Sequence, residues 1–165
     1  MFEKGELIIY GNKGICAVSD IATLDIAGAV KGRLYYILIP QNQKDSKIFV
    51  PVDSKKTIMR KLISKEEAKQ LIESIPEIQE IWVENDKLRE EKYKECMRTC
   101  ECKDWVRIIR TLYMRMQQRI AEGKKVTATD ERYFKMAEES LYSELSIALD
   151  VPKSEMEQYI AKHIE

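Results

Sequence analysis

The sequence predicts an α+β protein of two domains, a small antiparallel β barrel in residues 1–60 and an all-α domain in residues 61–165. Three observations carry that reading. Short runs rich in Ile, Val, Tyr and Leu alternate with turn signals through the first sixty residues, as in a small barrel or a strongly bent sheet. After Arg60 the hydrophobic period changes from that of strands to that of helices. A capping-box pattern, SKEE at 64–67, marks the change.

The strands are expected in ELIIY, ICAVSDIATL, RLYYILIP and SKIFVPV. GNKG at 11–14, AGAVKG at 27–32 and QNQKDS at 41–46 supply the turns between them. Pro40 and Pro51 fall at strand ends or edges, where a missing N–H is tolerated. Ser64 and Glu67 then open a helix that carries Ala68, Leu71, Ile72 and Ile75 on one face. Pro76 interrupts it, and EIQEIW reads as a short helical turn. Residues 84–100 read as a polar helix and residues 103–122 as an amphipathic one. In the latter, Trp105, Ile109, Leu112, Met116 and Ile120 lie on one side, with Lys103, Arg107 and Arg110 opposite. Gly123 is a natural stop, and Thr127 or Thr129 can cap a helix running to about Leu149. Phe134, Ala137, Leu141, Leu145 and Ala148 face inward on that helix, and Pro152 suits the first turn of a last short one.

The composition narrows the function classes. No apolar run approaches the ~18 residues that a membrane span needs, and the opening MFEKGELIIYGNKG lacks the layout of a secretory signal. A cytoplasmic protein is expected, so the four cysteines are read as thiols. The single histidine, His163, sits near the C-terminus, and no phosphate-binding loop, dinucleotide fingerprint or nucleophile elbow occurs. Neither catalysis, a cofactor nor a small-molecule substrate is expected. CMRTCEC places Cys96 and Cys100 on one helical face with Cys102 turned away, but a structural zinc site needs a second pair. Buried thiols at a helix junction are the expectation, and a thiol or zinc site is the alternative.

Charge is where the sequence is most informative. The formal net charge is zero, yet residues 86–125 hold twelve Lys/Arg against seven Asp/Glu, and residues 126–165 hold four against nine. A basic block between acidic ones gives a directional surface, or else a solvated helical face. Lys87, Arg89, Lys92, Lys94 and Arg98 lie on one expected helix, and Lys103, Arg107, Arg110, Arg115 and Arg119 on the next. Such residues can sit on phosphates. The interleaved Glu90, Glu91, Glu95 and Asp104 limit the grip. Trp82 stands just before the block. Following Ile75, Ile78 and Ile81 at three-residue spacing, it reads first as the last rung of an apolar stripe. The competing reading is an exposed wedge that presses on base pairs from the minor groove. Trp105, in register with Ile109 and Leu112, is expected in the core.

FEKGELIIYGNKGICAV, KIFVPVD, WVENDKLREEKYK and WVRIIRTLYMRMQQRIAEGKKVTATDERYFKMAEESLYSELSIAL, in this order, resemble the CarD family of bacterial RNA-polymerase-binding transcription regulators over about residues 1–150. The resemblance implies a Tudor-like N-terminal domain of the type also found in transcription-repair coupling factor. It would bind the RNA polymerase β subunit largely by strand addition, through Lys47, Ile48, Phe49, Val50 and Pro51. It also implies a helical domain on promoter DNA at the upstream edge of the transcription bubble. There Trp82 would be the wedge, with Lys87, Arg89, Lys92, Lys94 and Arg132 beside it. Phe49 and Glu131 stand where some relatives carry arginine and lysine. The expected outcome is a stabilised open promoter complex, and an association with the nucleoid through the polymerase. A protein-interaction adaptor with no DNA contact is the alternative.

Overall fold

The computed structural model describes residues 1–164 and divides the chain into two units, Met1–Leu62 and Ile63–Glu165. The first holds five antiparallel strands: β1 (Leu7–Tyr10), β2 (Ile15–Thr23), β3 (Leu34–Pro40), β4 (Ile48–Pro51) and β5 (Met59–Lys61). Their order is β4-β3-β2-β1-β5, which leaves β4 and β5 as the two edges. Strands β1 to β4 are those the first sixty residues led us to expect, and the sheet fits the Tudor-like domain that the resemblance implied. A register shift between Val18 and Asp20 marks a bulge in β2, and bulges sharpen the local bend and twist.

Alternation builds the core of this unit. Ile8, Cys16, Val18, Tyr36, Leu38 and Val50 form one buried cluster, closed by Phe2, Tyr10 and Ile48. The Tyr36 hydroxyl accepts the Phe2 N–H at 3.0 Å, so the first residues are tied down over the cluster. Strand β5 was not expected from the sequence. Three residues, MRK, show no alternation, and only pairing with β1 defines them.

The second unit is helical: α1 (Lys65–Ser74), α2 (Arg89–Arg98), α3 (Cys102–Ala121), α4 (Ala128–Leu149) and α5 (Met156–Ile164). Its starts and stops follow local chemistry. The Ser64 side chain accepts the Glu67 N–H, and the Glu67 carboxylate accepts the Ser64 N–H, both at 3.1 Å. Thr127 caps α4 through the Asp130 N–H, and Gly123 takes the positive φ (76°) that ends α3. The longest helices, α3 and α4, bury Trp105, Ile108 and Leu112 on one and Ala137, Leu141 and Leu145 on the other. Trp105 is in the core, whereas Ile120, expected inward, is exposed. The inward stripe runs through Cys102, Val106 and Ile108 and does not extend to the last turn.

Two further expectations are corrected. The polar helix begins later than residue 84, because Asn85 and a 3-10 turn at Asp86–Leu88 precede α2. Cys100 does not share a helical face with Cys96, since α2 has ended and Cys100 sits in left-handed backbone (φ 57°). No helix among the described residues is long and apolar enough to cross a membrane.

The α1 cap gives a direct check. Ser64→Ala removes one half of the capping box and should destabilise the helical unit by about 1 kcal/mol. Urea unfolding followed by far-UV circular dichroism measures this, and an unchanged midpoint contradicts it.

Candidate nucleic-acid interface and the open sheet edge

The environment of Trp82 is set by three residues of α3. Arg107, Arg110 and Thr111 lie at i, i+3 and i+4, so they share one face. Arg110 Nη1 donates to the carbonyls of Ile75 (2.7 Å) and Ile78 (3.0 Å). Arg107 Nε donates to the Gln79 carbonyl at 3.3 Å. The Thr111 hydroxyl donates to the Arg107 carbonyl at 2.6 Å and accepts the Ile81 N–H at 2.9 Å. With those carbonyls bound to α3, the expected helical turn over 77–82 does not form. Only Ile75–Glu77 makes a 3-10 turn, and the chain leaves it extended at Ile78.

That backbone answers the question of the indole. In a helix, Ile81 and Trp82 would lie about 100° apart. In non-helical chain here, Ile81 turns in and is buried, while Trp82 turns out and is 77% exposed. The core-rung reading is therefore corrected: the stripe ends at Ile81. Leaving most of an indole of about 200 Å² in water forgoes on the order of 4 kcal/mol of burial. That apolar surface remains open to a partner.

The basic block is less available than its sequence suggests. Arg89 is bound to Asp86 (3.0 Å) and to the Tyr93 hydroxyl (3.4 Å). The Tyr93 hydroxyl in turn donates to Asp130 at 3.1 Å, and Arg115 Nε holds the other Asp130 oxygen at 2.8 Å. Burial pushes the Tyr93 phenol up to about 12, so it keeps its proton and stays a donor at neutral pH. Asp86, beside the Arg89 guanidinium and near Arg115, is held below the usual carboxylate range. Arg119 binds the Lys125 carbonyl. The second-helix arginines that the sequence offered as phosphate contacts thus hold the fold together.

What faces solvent is a set of lysines together with Arg98 and Arg132. Lys87 and Lys103 are exposed. Lys92 and Lys94 are partly exposed and pair with Glu95 (3.8 Å) and Glu91 (3.4 Å) on their own helix. Arg132 is exposed, pairs with Glu90 at 2.8 Å and stands over the Tyr133 ring. Glu131 pairs with Lys135. Exposed pairs of this kind are worth about 0–1 kcal/mol, so a phosphate can replace the carboxylate at small cost.

Sequence reasoning missed the two buried carboxylates. Asp130 and Glu144 are both buried on α4. Glu144 accepts the Ile63 N–H (2.8 Å) and the Cys102 thiol (3.2 Å). The signal was weak but present: in the helical period both fall on the inward side with Ala137 and Leu141. All four cysteines are buried, and burial pushes the Cys16 thiol up to about 11. Among the described residues no group of three or more His, Cys, Asp or Glu is arranged to hold a metal.

The first unit presents a different surface. Strand β4 is an edge, paired on one side with β3 in the register Ile48↔Leu38, Phe49↔Ile37, Val50↔Tyr36 and Pro51↔Tyr35. The Val52 N–H continues the ladder to the Leu34 carbonyl. In an antiparallel ladder, bonded residues alternate. Ile48 and Val50 therefore bond inward to β3, while Phe49 turns its N–H and carbonyl to the open edge. Pro51 has no N–H and offers a carbonyl alone. Val50 is buried in the core cluster, and Lys47 and the Phe49 side chain are exposed. An incoming strand would find a short row of free backbone groups with one aromatic ring beside it.

Residues 2–63 match the family model for the CarD-like/TRCF RID domain. No curated protein matches the chain. The sheet thus belongs to a CarD-like RNA-polymerase-interacting domain, and the match stops where the helices begin.

The contrast between the two tryptophans can be measured in the free protein. With Trp105→Phe, Trp82 fluorescence should be quenched steeply by acrylamide and emit to the red. With Trp82→Phe, the remaining Trp105 should be shielded and emit to the blue. Equal quenching of the two would contradict the geometry.

Proposed function

We propose that this chain is a transcription regulator that docks on the RNA polymerase β subunit and stabilises the open promoter complex. Docking is by strand addition to β4, across Lys47, Ile48, Phe49, Val50 and Pro51. The helical unit reaches promoter DNA at the upstream edge of the bubble, with the Trp82 indole as a minor-groove wedge. Lys87, Lys92, Lys94 and Arg132 neutralise the flanking phosphates. Arg89 holds the Asp86–Leu88 turn between the indole and those lysines. The protein acts by binding alone, without catalysis or a cofactor, and follows the polymerase to the nucleoid.

The observation that carries this reading is the indole, 77% exposed one residue after a backbone pinned to α3. An apolar wedge that is aimed before it arrives beside base pairs loses less conformational freedom on insertion. The polymerase contact rests on the matched domain and its open edge. One observation favours the adaptor reading: Arg107, Arg110, Arg115 and Arg119 bind carbonyls and Asp130 within the protein. A purely protein-binding module needs no free arginines.

The lifetime of open promoter complexes, measured after adding a DNA competitor, separates the two readings. Wild type should lengthen it, and Trp82→Ala should lose most of that effect while still binding polymerase. Phe49→Pro removes an N–H that faces only the open edge, and should abolish polymerase binding with the fold intact. If wild type binds polymerase and leaves the lifetime unchanged, the adaptor reading replaces the wedge.

A further inference from the structure

The direction of the Trp82 indole is not a property of Trp82. Four hydrogen bonds reach the 75–81 segment from α3, and the last of them lies one residue before the indole. Thr111 makes that last bond. Its single hydroxyl proton goes to the Arg107 carbonyl one turn back. A lone pair is thereby left pointing away from the helix, where the Ile81 N–H meets it at 2.9 Å. Thr111 is buried, although its hydroxyl is polar. A valine would fill the same volume without the bond and leave the Ile81 N–H buried and unpaired.

Arg110 acts on the other end of the segment. One guanidinium nitrogen bridges the carbonyls of Ile75 and Ile78, clasping the turn around Pro76 that the Ile78 N–H closes on the Ile75 carbonyl at 3.1 Å. With the turn closed at 75–78 and the chain held at 81, Ile81 has one way to bury. Trp82, the next residue in non-helical backbone, is then turned to solvent on a fixed bearing.

We infer that Thr111 and Arg110 are positioning residues that pre-organise the Trp82 wedge, and that the strength of the DNA contact depends on their hydrogen bonds. The inference rests on the wedge reading for its functional half. Neither residue touches DNA in it. Loosening the segment lets the indole sample directions that cannot insert, so the ordering cost moves from folding to binding.

The test uses full-length protein. Thr111→Val and Thr111→Ser are made in wild type for promoter assays and in Trp105→Phe for fluorescence. Arg110→Met serves as an independent variant, because it removes the other bonds and keeps the aliphatic stem. Time-resolved anisotropy of Trp82 should show a larger fast component in Thr111→Val and Arg110→Met, and wild-type behaviour in Thr111→Ser. The open-complex lifetime should fall about tenfold in the first two, equivalent to about 1.4 kcal/mol, and recover in Thr111→Ser. A merely structural role would lower thermal stability without that rescue pattern in the anisotropy. If Thr111→Val and Arg110→Met keep wild-type anisotropy and lifetime while Trp82→Ala shortens the lifetime, the positioning role is overturned and the wedge stands. If Trp82→Ala itself has no effect on the lifetime, the wedge reading fails. The anisotropy then decides alone whether Thr111 and Arg110 aim the indole.

Discussion

The carboxylate of Asp130 is the point on which the helical unit turns. It is buried at the start of α4 and accepts from the Tyr93 hydroxyl of α2 and the Arg115 guanidinium of α3. Burying a charge is costly unless it is paired and hydrogen-bonded. Here both carboxylate oxygens have a partner. Tyr93 extends the network to Arg89, and Arg89 to Asp86 at the mouth of the turn that follows Trp82. Breaking such a buried pair from one side typically costs about 3–5 kcal/mol. The network therefore couples the packing of three helices to the shape of one exposed turn.

This use of arginine shapes the surface. Arg89, Arg107, Arg110, Arg115 and Arg119 have their guanidinium groups on carbonyls, Asp86, Asp104 or Asp130. Planar guanidinium suits that work, since it offers several donors in a fixed fork. Lysines, with Arg98 and Arg132, are left to face solvent, interleaved with glutamates. A surface of that kind holds phosphate weakly and releases it readily as salt rises. Under the proposed function, weak contact is adequate, because docking on polymerase would hold the helical unit near the DNA at high effective concentration. The sheet edge would supply residence, and the indole and lysines would act only where the duplex is already opening.

Much of the fold was legible because it follows local rules. The capping box at Ser64, the stop at Gly123 and the Thr127 cap each answer a backbone need within four residues. The four longer strands were visible because one face of each feeds one core. The segment around Trp82 was not legible for the opposite reason. Its isoleucines recur every three residues and suggest a helix, but α3, about thirty residues further along the chain, takes its carbonyls. Long-range hydrogen bonds leave no local pattern. The same holds for β5, defined only by its partner, and for Asp130 and Glu144, acidic residues that nothing nearby in sequence marks as buried. The arginines misled in a simple way. On a helix net they oppose the apolar stripe, yet their long side chains reach back over a neighbouring segment.

The central claim is that a pre-aimed indole acts on bases at the edge of the melted region. The most direct test places 2-aminopurine in promoter DNA at that edge and follows its emission in polymerase complexes. Bound wild type should change the emission by stacking against the probe or its neighbour. Trp82→Ala, bound to polymerase to the same extent, should leave it as it is without the factor. The same emission with wild type and Trp82→Ala, both bound, would contradict the account.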